Sequence, residues 1–262
     1  MYIVVNVSGS VEVVNARTAK SIKHIDMKVN GVGRQPRYVA FNGGKAFISS
    51  YDGTVAVLDT ASLVIEKYIN VGRNPEHMAV ANGKLYVANS GGLSYPNYDN
   101  TVSVIDLATQ TEIKKVTVAA NPQEVVADTY GNVYVKSAGN YSNVQPTLTI
   151  INSNNDAVTS QAAYDGSSMF LMGDNIYFLT SDKKVKVYNV KTQQTTANFI
   201  TDGTVITTPY GLLVDGSTGE VFITDAKDYV SSGTLTAFDK SGKKEYSITT
   251  GINPGKIALV SK

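Results

Sequence analysis

Five prolines recur along this chain at nearly constant spacing, and each opens the same four-part script. They are Pro36, Pro75, Pro122, Pro209 and Pro254, with Ser168 standing in the one wide gap, so that the intervals are 39, 47, 46, 41 and 45 residues. The stretch from Asn70 to Ser90, NVGRNPEHMAVANGKLYVANS, shows most of the script. A Gly-x-x-Pro turn leads into an apolar run (YVAF, HMAV, EVVA, MFLM, GLLV) and then a tight turn (NGGK, NGK, TYGN, GDN, GSTGE). A second apolar run follows (AFISS, LYVANS, VYVKS, IYFLTS, VFITD), then a third that ends in Asp or Asn (VAVLD, VSVID, LTIIN, VKVYN, LTAFD). A polar turn then leads to a fourth, such as VIEKYINV or EIKKVTV.

A unit of about 44 residues with four short strands has the length of a β-propeller blade and is too long for one coil of a β-solenoid. The first run of each unit is almost continuously apolar, as befits a strand buried on both faces, whereas VAVLD and VSVID alternate. Helix signals are nearly absent. The expected fold is therefore all-β, a propeller of four-stranded blades forming a single domain over residues 1–262. Its repeats fall near 36–74, 75–121, 122–167, 168–208 and 209–253. GKIALV after Pro254 reads as a lone inner strand, and MYIVVN, SVEVVN and SIKHIDM read as the other three. Residues 254–262 joined with 1–35 make one period of 44, which closes six blades through the two termini. A seven-bladed parent lacking one whole period gives the same arithmetic.

Charge and composition narrow the function classes. Lys+Arg number 23 against Asp+Glu 22, a formal net charge of +1, so no global field draws in nucleic acid or an anionic membrane. The absence of cysteine removes disulfides, thiolate metal sites and cysteine nucleophiles. No run approaches the roughly 18 apolar residues of a membrane-spanning helix. Met1 leads straight into a strand-like run with no basic leader, so any export signal is expected to lie upstream of this start.

LYVANS followed by NTVSVIDLATQTEIKKVTVAANP resembles the YVTN-type propellers of surface-layer-like proteins, and the likeness covers the whole chain. Asn- and Tyr-rich units such as GKLYVANSGGLSYPNYDNTVSVID are similar to secreted propeller lipoproteins of gut anaerobes, capture proteins for cobalamin among them. The resemblance implies an extracytoplasmic location, a lipid anchor upstream of Met1, and a corrinoid-sized ligand or a cell-surface protein partner. The shared motif itself is structural and does not specify a ligand.

Function is expected where the units differ. Antiparallel connectivity puts the loop between strands two and three on the same face as the turn into the next inner strand. The two-to-three loops are short at 51–53, 181–183 and 7–10, but long at 90–100 (SGGLSYPNYDN), 137–146 (SAGNYSNVQP) and 225–233 (DAKDYVSSG). Growth on one face over a rigid scaffold points to binding. The long loops carry Tyr95, Tyr98, Tyr141 and Tyr229 beside Asn97, Asn100, Asn140 and Asn143, residues that give contact area and hydrogen bonding at modest entropy cost. The bland alternative is that they are solvated loops with tyrosines packed on neighbouring blades. The same face carries Arg34, Arg37, Tyr38, Arg73, Glu76, His77, Gln123, Glu124, Met169, Phe170, Tyr210 and Lys256, expected at the channel mouth. Arg34 and Arg73, in matching GRxP positions, read equally as caps on backbone carbonyls.

For catalysis the chain offers little. His24 lies on an outer strand; Glu76, His77 and Glu124 are the one acid–base or metal corner, and no third or fourth metal ligand is evident. There is no nucleophile elbow, HExxH, phosphate loop or dinucleotide fingerprint. The expectation is a non-enzymatic binder with no cofactor and no metal, its ligand set drawn from the mouth and loop residues named above. A protein-interaction scaffold is the alternative, and a metal-dependent hydrolase or lyase at Glu76, His77 and Glu124 the third reading.

Overall fold

The computed structural model describes residues 1–260, and among them every regular element is a strand. The fold is a β-propeller of six blades. The first has strands Tyr2–Val5, Ser10–Val14 and Ser21–Asp26, followed by a small hairpin, Lys28–Val29 with Val32–Gly33. The second runs Pro36–Asn42, Lys45–Ser50, Thr54–Asp59 and Val64–Asn70, and the third Pro75–Ala81, Lys84–Asn89, Thr101–Asp106 and Thr111–Thr117. The fourth comprises Pro122–Ala127, Asn132–Ser137, Thr147–Asn152 and Ala157–Ala163. The fifth comprises Ser168–Met172, Asn175–Leu179, Val185–Asn189 and Gln194–Thr195, and the sixth Pro209–Val214, Val221–Asp225, Thr234–Phe238 and Lys244–Thr249. Each sheet is an antiparallel meander in chain order. Blades one to four lie in one compact unit, Met1–Tyr164, and blades five and six in a second that starts at Asp165.

One expected strand is missing. Residues 254–260 form no ladder, and Leu259 and Val260 stay exposed, so this short stretch buries too little apolar surface to hold a strand. The first blade accordingly has three strands among the described residues. The last two residues of the expected 254–262 segment lie outside the described residues.

Neighbouring sheets bury their apolar faces against each other. In the first unit Phe47, Val55 and Val57 pack with Met78, Leu85, Val87 and Ile105, and Tyr86, Val102 and Val104 pack with Val125, Val133 and Ile151. In the second, Leu179 and Val185 meet Val221, Ile223 and Phe238. Each such buried side chain contributes roughly 1.5–3 kcal/mol, so the alternating strands account for most of the driving force.

The Asp or Asn that ends each third strand serves as turn chemistry. Asp59 Oδ1 accepts the amides of Ala61 (3.1 Å) and Ser62 (2.8 Å), Asp106 Oδ1 that of Thr109 (2.7 Å), and Asn189 Oδ1 that of Lys191 (3.1 Å). Four residues on, Leu63, Gln110, Asp156 and Gln193 take left-handed backbone angles of 53–56°, and their amides return to the carbonyl of that Asp or Asn. Bonds to the ionised form hold Asp59, Asp106 and Asp239 below the ordinary aspartate value of 3.8: chiefly Lys45 for Asp59, and the backbone amides of Thr109 and Lys243 for Asp106 and Asp239. Lys184 lowers Asp182 to about 2, and backbone amides do the same for Asp202 and Asp228. Depressed values make the unfolded chain the better proton binder in acid, so this stabilisation is complete above about pH 4 and is lost as pH falls toward 2. The melting temperature is therefore expected to drop through that window, and Asp106→Asn should flatten the drop; a melting temperature constant from pH 5 to 2 would contradict this account.

A second recurring device shapes the start of the inner strands. The residues before four loop prolines, Gln35, Asn74, Asn121 and Asn253, adopt φ of 56°, 47°, 60° and 52°, a region Asn tolerates. Just after the proline the ladder with strand two slips, between Pro36 and Tyr38, Pro75 and Met78, Pro122 and Glu124, and Pro209 and Leu212. The residues inside these bulges are Arg37, Glu76 with His77, Gln123, and Tyr210 with Gly211. A bulged residue leaves the ladder and its side chain is re-aimed. Blade five, which lacks the proline, has an unbroken register from Ser168 to Met172. In each of these blades the bulge thus falls at the proline end of the inner strand, on residues in which the repeats differ.

Candidate functional site

In the first unit the bulge residues of blades two and three meet, and His77 reaches on to blade four. Glu76 accepts the Nε–H of Arg37 at Oε2 (2.9 Å) and the hydroxyl of Tyr51 at Oε1, and the Arg37 guanidinium carbon stands 4.6 Å from the centre of the Tyr51 ring. Burial and the bond to Glu76 push the Tyr51 hydroxyl far up, so it stays protonated. Burial opposes the charge on Arg37, but Glu76 outweighs it and Arg37 is raised. Gly92, at the base of the first long loop, is so placed that an added Cβ would lie 3.4 Å from the Tyr51 hydroxyl.

Beside this cluster the His77 ring lies on Tyr38, with centroids 3.6 Å apart and planes tilted by 34°. His77 Nδ1 is 2.9 Å from the Val125 carbonyl of the next blade, and since a carbonyl only accepts, Nδ1 carries the proton. Burial and, after it, the charge of Glu124 raise Tyr38. Lys136, 6% exposed, bonds Gln123 Oε1 at 2.9 Å; burial lowers its pKa, and Glu124 and Glu76 offset part of that. Of the three residues expected at the acid–base corner, Glu76 binds Arg37 and Tyr51, His77 lies on Tyr38 and reaches the Val125 carbonyl, and the charges of Glu76 and Glu124 both act on Lys136. Both Glu76 oxygens accept hydrogen bonds, His77 Nδ1 faces a backbone carbonyl, and no cluster of three metal-ligating side chains exists among the described residues.

Over this floor stand the loop tyrosines. Tyr95 and Tyr98 meet edge to face at 6.1 Å, and Tyr98 meets Tyr141 of the next blade at 6.0 Å. Gln123 Nε2 donates to the Tyr141 hydroxyl at 2.9 Å. Tyr95 and Tyr141 remain 71% and 69% exposed, too open to be packing residues. Arg73 shapes the loop that carries Tyr95 and Tyr98, donating to Ser94 Oγ and the Asn97 carbonyl (3.2 Å each) with Asp99 3.9 Å away. Arg73, Leu93, Ser94 and Asp99 line a cleft of about 630 Å³ between blades two and three. Asn100 closes the loop through its carbonyl, which accepts the amide of Val118 (2.8 Å), and contributes backbone there. Arg34 lies apart from the tyrosines: it pairs with Asp52 and stacks 3.9 Å over Tyr68, so it ties a two-to-three turn to an outer strand.

The second unit holds a related pair. Tyr210, from the bulge of blade six, meets Tyr229 of the loop above it edge to face at 5.8 Å. Gly255 abuts the Tyr210 ring, and Lys256 beside it is exposed. Tyr141 and Tyr229 occupy equivalent places, four residues beyond Ser137 and Asp225, in SAGNY and DAKDY. Both adopt left-handed backbone angles, φ 58° and 64°. Asn140 Oδ1 accepts the amides of Ser142 and Val144, and Asp228 Oδ1 those of Val230 and Ser231, which fixes the conformation. In each blade a bulge residue, Gln123 or Tyr210, contacts the loop tyrosine. Aligning the long loops on the end of strand two would have revealed this Asn/Asp-Tyr element. Lys136 could also have been found, since VYVKS puts a lysine where AFIS and YVA put Ser49 and Ala88. Tyr51 carries no such signal, because it sits in an ordinary short turn.

Several solved structures share this architecture. Hydrazine synthase of Kuenenia stuttgartiensis aligns over 97% of this chain and 84% of its own, with 16% identity and a TM-score of 0.76. Dihydro-heme d1 dehydrogenase NirN in complex with DHE aligns over 95% of this chain but 53% of its own (14% identity, TM-score 0.65). A quinonprotein alcohol dehydrogenase-like protein from Bacteroides thetaiotaomicron aligns over 95% and 66% (16% identity, TM-score 0.64). Such identities establish a common fold only. No curated protein matches the chain in sequence. Over residues 1–256 the sequence fits the model of one family, and the chain belongs to it: the Domain of unknown function (DUF5074) family.

Proposed function

We propose that this protein is a non-enzymatic, extracytoplasmic binding propeller that seats a planar small molecule against Tyr95, Tyr98 and Tyr141. The observation that carries this reading is the conformation of Tyr141. A bulky residue in the left-handed region costs roughly 1–2 kcal/mol, and Asn or Gly would fill that turn more cheaply. Tyr141 is nevertheless placed there, exposed, and hydrogen-bonded at its tip by Gln123. Strain kept at an exposed aromatic fits a ligand contact better than a packing contact. The floor beneath supplies polar groups at fixed positions, as small-molecule sites do. The resemblance to surface-layer-like propellers of gut anaerobes supports the location and extends the ligand range to corrinoids. The exposed Leu93 and Tyr95 also suit a protein partner on the same face.

The test is a thermal-shift panel of flat, cofactor-sized molecules, including cyanocobalamin, hemin, riboflavin and 2-naphthamide, run on the wild type and on Tyr141→Asn. Asn relieves the backbone strain and forfeits the edge-to-face contact, worth about 0.5–1.5 kcal/mol. The two changes offset, so the variant should melt within about 3 °C of wild type while losing the ligand-induced shift. A panel with no response, or a shift that survives in Tyr141→Asn, would refute the reading.

A further inference from the structure

The bulge of blade four fixes the direction in which a hydroxyl points. An ammonium group only donates, so the Gln123 atom 2.9 Å from Lys136 Nζ is the amide oxygen. The other end of the amide is then the NH2 group, which lies 3.4 Å from Asn121 Oδ1 and 2.9 Å from the Tyr141 hydroxyl. Tyr141 therefore accepts from Gln123 and keeps its own proton for a partner outside the protein. A second donor lies nearby: Arg37 uses Nε on Glu76, and its two terminal NH2 groups, over the Tyr51 ring, make no other bond among the described residues. The Arg37 side chain is 36% exposed, so these groups are reachable. Arg37 lies over Tyr51, the Tyr51 hydroxyl lies beside Gly92 at the base of the loop that carries Tyr98, and the Tyr98 ring meets that of Tyr141, so the two donors flank one loop. The Glu76 oxygens beside them each already accept a bond.

We propose that the ligand of this face carries a carbonyl-type oxygen, of a carboxamide or a carboxylate, on a planar ring system, and that Arg37 and Tyr141 receive this oxygen. Lys136 is a positioning residue: it holds the Gln123 amide in the orientation that turns the Tyr141 proton outward. This rests on the reading of the face as a ligand seat and adds the ligand's polarity. A ligand offering only donors there would leave two protein donors unmet, and sites built this way reject such analogues.

The experiment uses three matched probes, 2-naphthamide, 2-naphthoate and 2-naphthylmethylamine, with dissociation constants from ligand-observed NMR titrations. The amide and the carboxylate should bind at least ~10-fold tighter than the amine. Their own ratio identifies the oxygen's source, a carboxylate advantage marking charge recognition by Arg37 and parity marking a neutral carbonyl. Arg37→Met combined with Tyr141→Phe should bring all three probes to one affinity. Lys136→Met should halve the preference or more at unchanged ring binding, and Lys136→Arg should restore it. Equal binding of the three probes to wild type, or a preference that persists in the double variant, would overturn the donor assignment and leave the ligand seat standing. Failure of every probe to bind would remove both.

Discussion

Asp156→Ala should cost about 3 kcal/mol or more of stability, the largest single effect expected in the first unit. Asp156 sits in the turn between strands three and four of blade four, 8% exposed, and its carboxylate is the meeting point of two blades. Lys84 of blade three places Nζ at 2.7 and 2.9 Å from the two carboxylate oxygens, and the fully buried Tyr86 donates its hydroxyl to Oδ1 at 2.5 Å. The same turn is gripped through its backbone: Lys84 and Asn82 donate to the Ser153 carbonyl, and Lys114 to the carbonyls of Asn155 and Asp156. Removing the carboxylate takes two acceptor oxygens from the part-buried ammonium and one from the buried phenol, and the loss at the charge dominates. Alanine at φ 54° adds a smaller backbone penalty. The melting temperature should fall by roughly 6–12 °C. Asp156→Asn keeps the turn and a hydrogen-bond acceptor, so it should fall by less. Lys84→Met in the Asp156→Ala background should recover part of the loss, because it withdraws the stranded charge. A drop below 2 °C in calorimetry would show that Asp156 does not hold the two blades together.

How much of this was legible beforehand depends on how local each feature is. The blade script is local: Asn-Gly turns, alternating runs, the Asp that caps the third strand, and loop lengths can all be read within one unit of about 44 residues. The face on which the loops grow followed from connectivity alone. Partners across blades were not legible. Arg37 and Glu76 stand 39 residues apart in sequence, His77 and Val125 48, and nothing within either blade names the other. Arg34 and Arg73 occupy matching positions, yet one is locked to Asp52 and Tyr68 while the other orders a long loop, because the neighbouring turn differs in length. The tail failed for the opposite reason. GKIALV has the local pattern of an inner strand, but a strand is made by its ladder, and residues 254–260 make none. Lys136 and the Asn/Asp-Tyr element lay between these extremes: each breaks or repeats a local pattern, and each becomes visible once the second strands are set in register.

Glu76→Ala should cost the site more than it costs the fold, and the two effects can be separated. Its carboxylate accepts both the Arg37 Nε–H and the Tyr51 hydroxyl, so truncation frees two side chains at once. Both retain some contact with solvent, which limits the stability loss to about 1–2 kcal/mol. The consequence for geometry is larger. Arg37 no longer has a reason to lie over Tyr51, and a guanidinium displaced by an ångström or so loses a directional bond that placement alone had made favourable. Affinity for 2-naphthamide should fall ~10-fold or more, and the distinction between the amide and the amine should fade with it. Glu76→Gln is the informative control. Its amide oxygen can satisfy Tyr51 or Arg37 but not both as an anion would, so stability should return nearly to wild type while affinity returns only in part. If affinity tracked melting temperature across wild type, Gln and Ala, Glu76 would be acting on the blade as a whole. A loss of affinity in Gln without a matching loss of stability would place its action at the ligand seat, beside the bulge after Pro75.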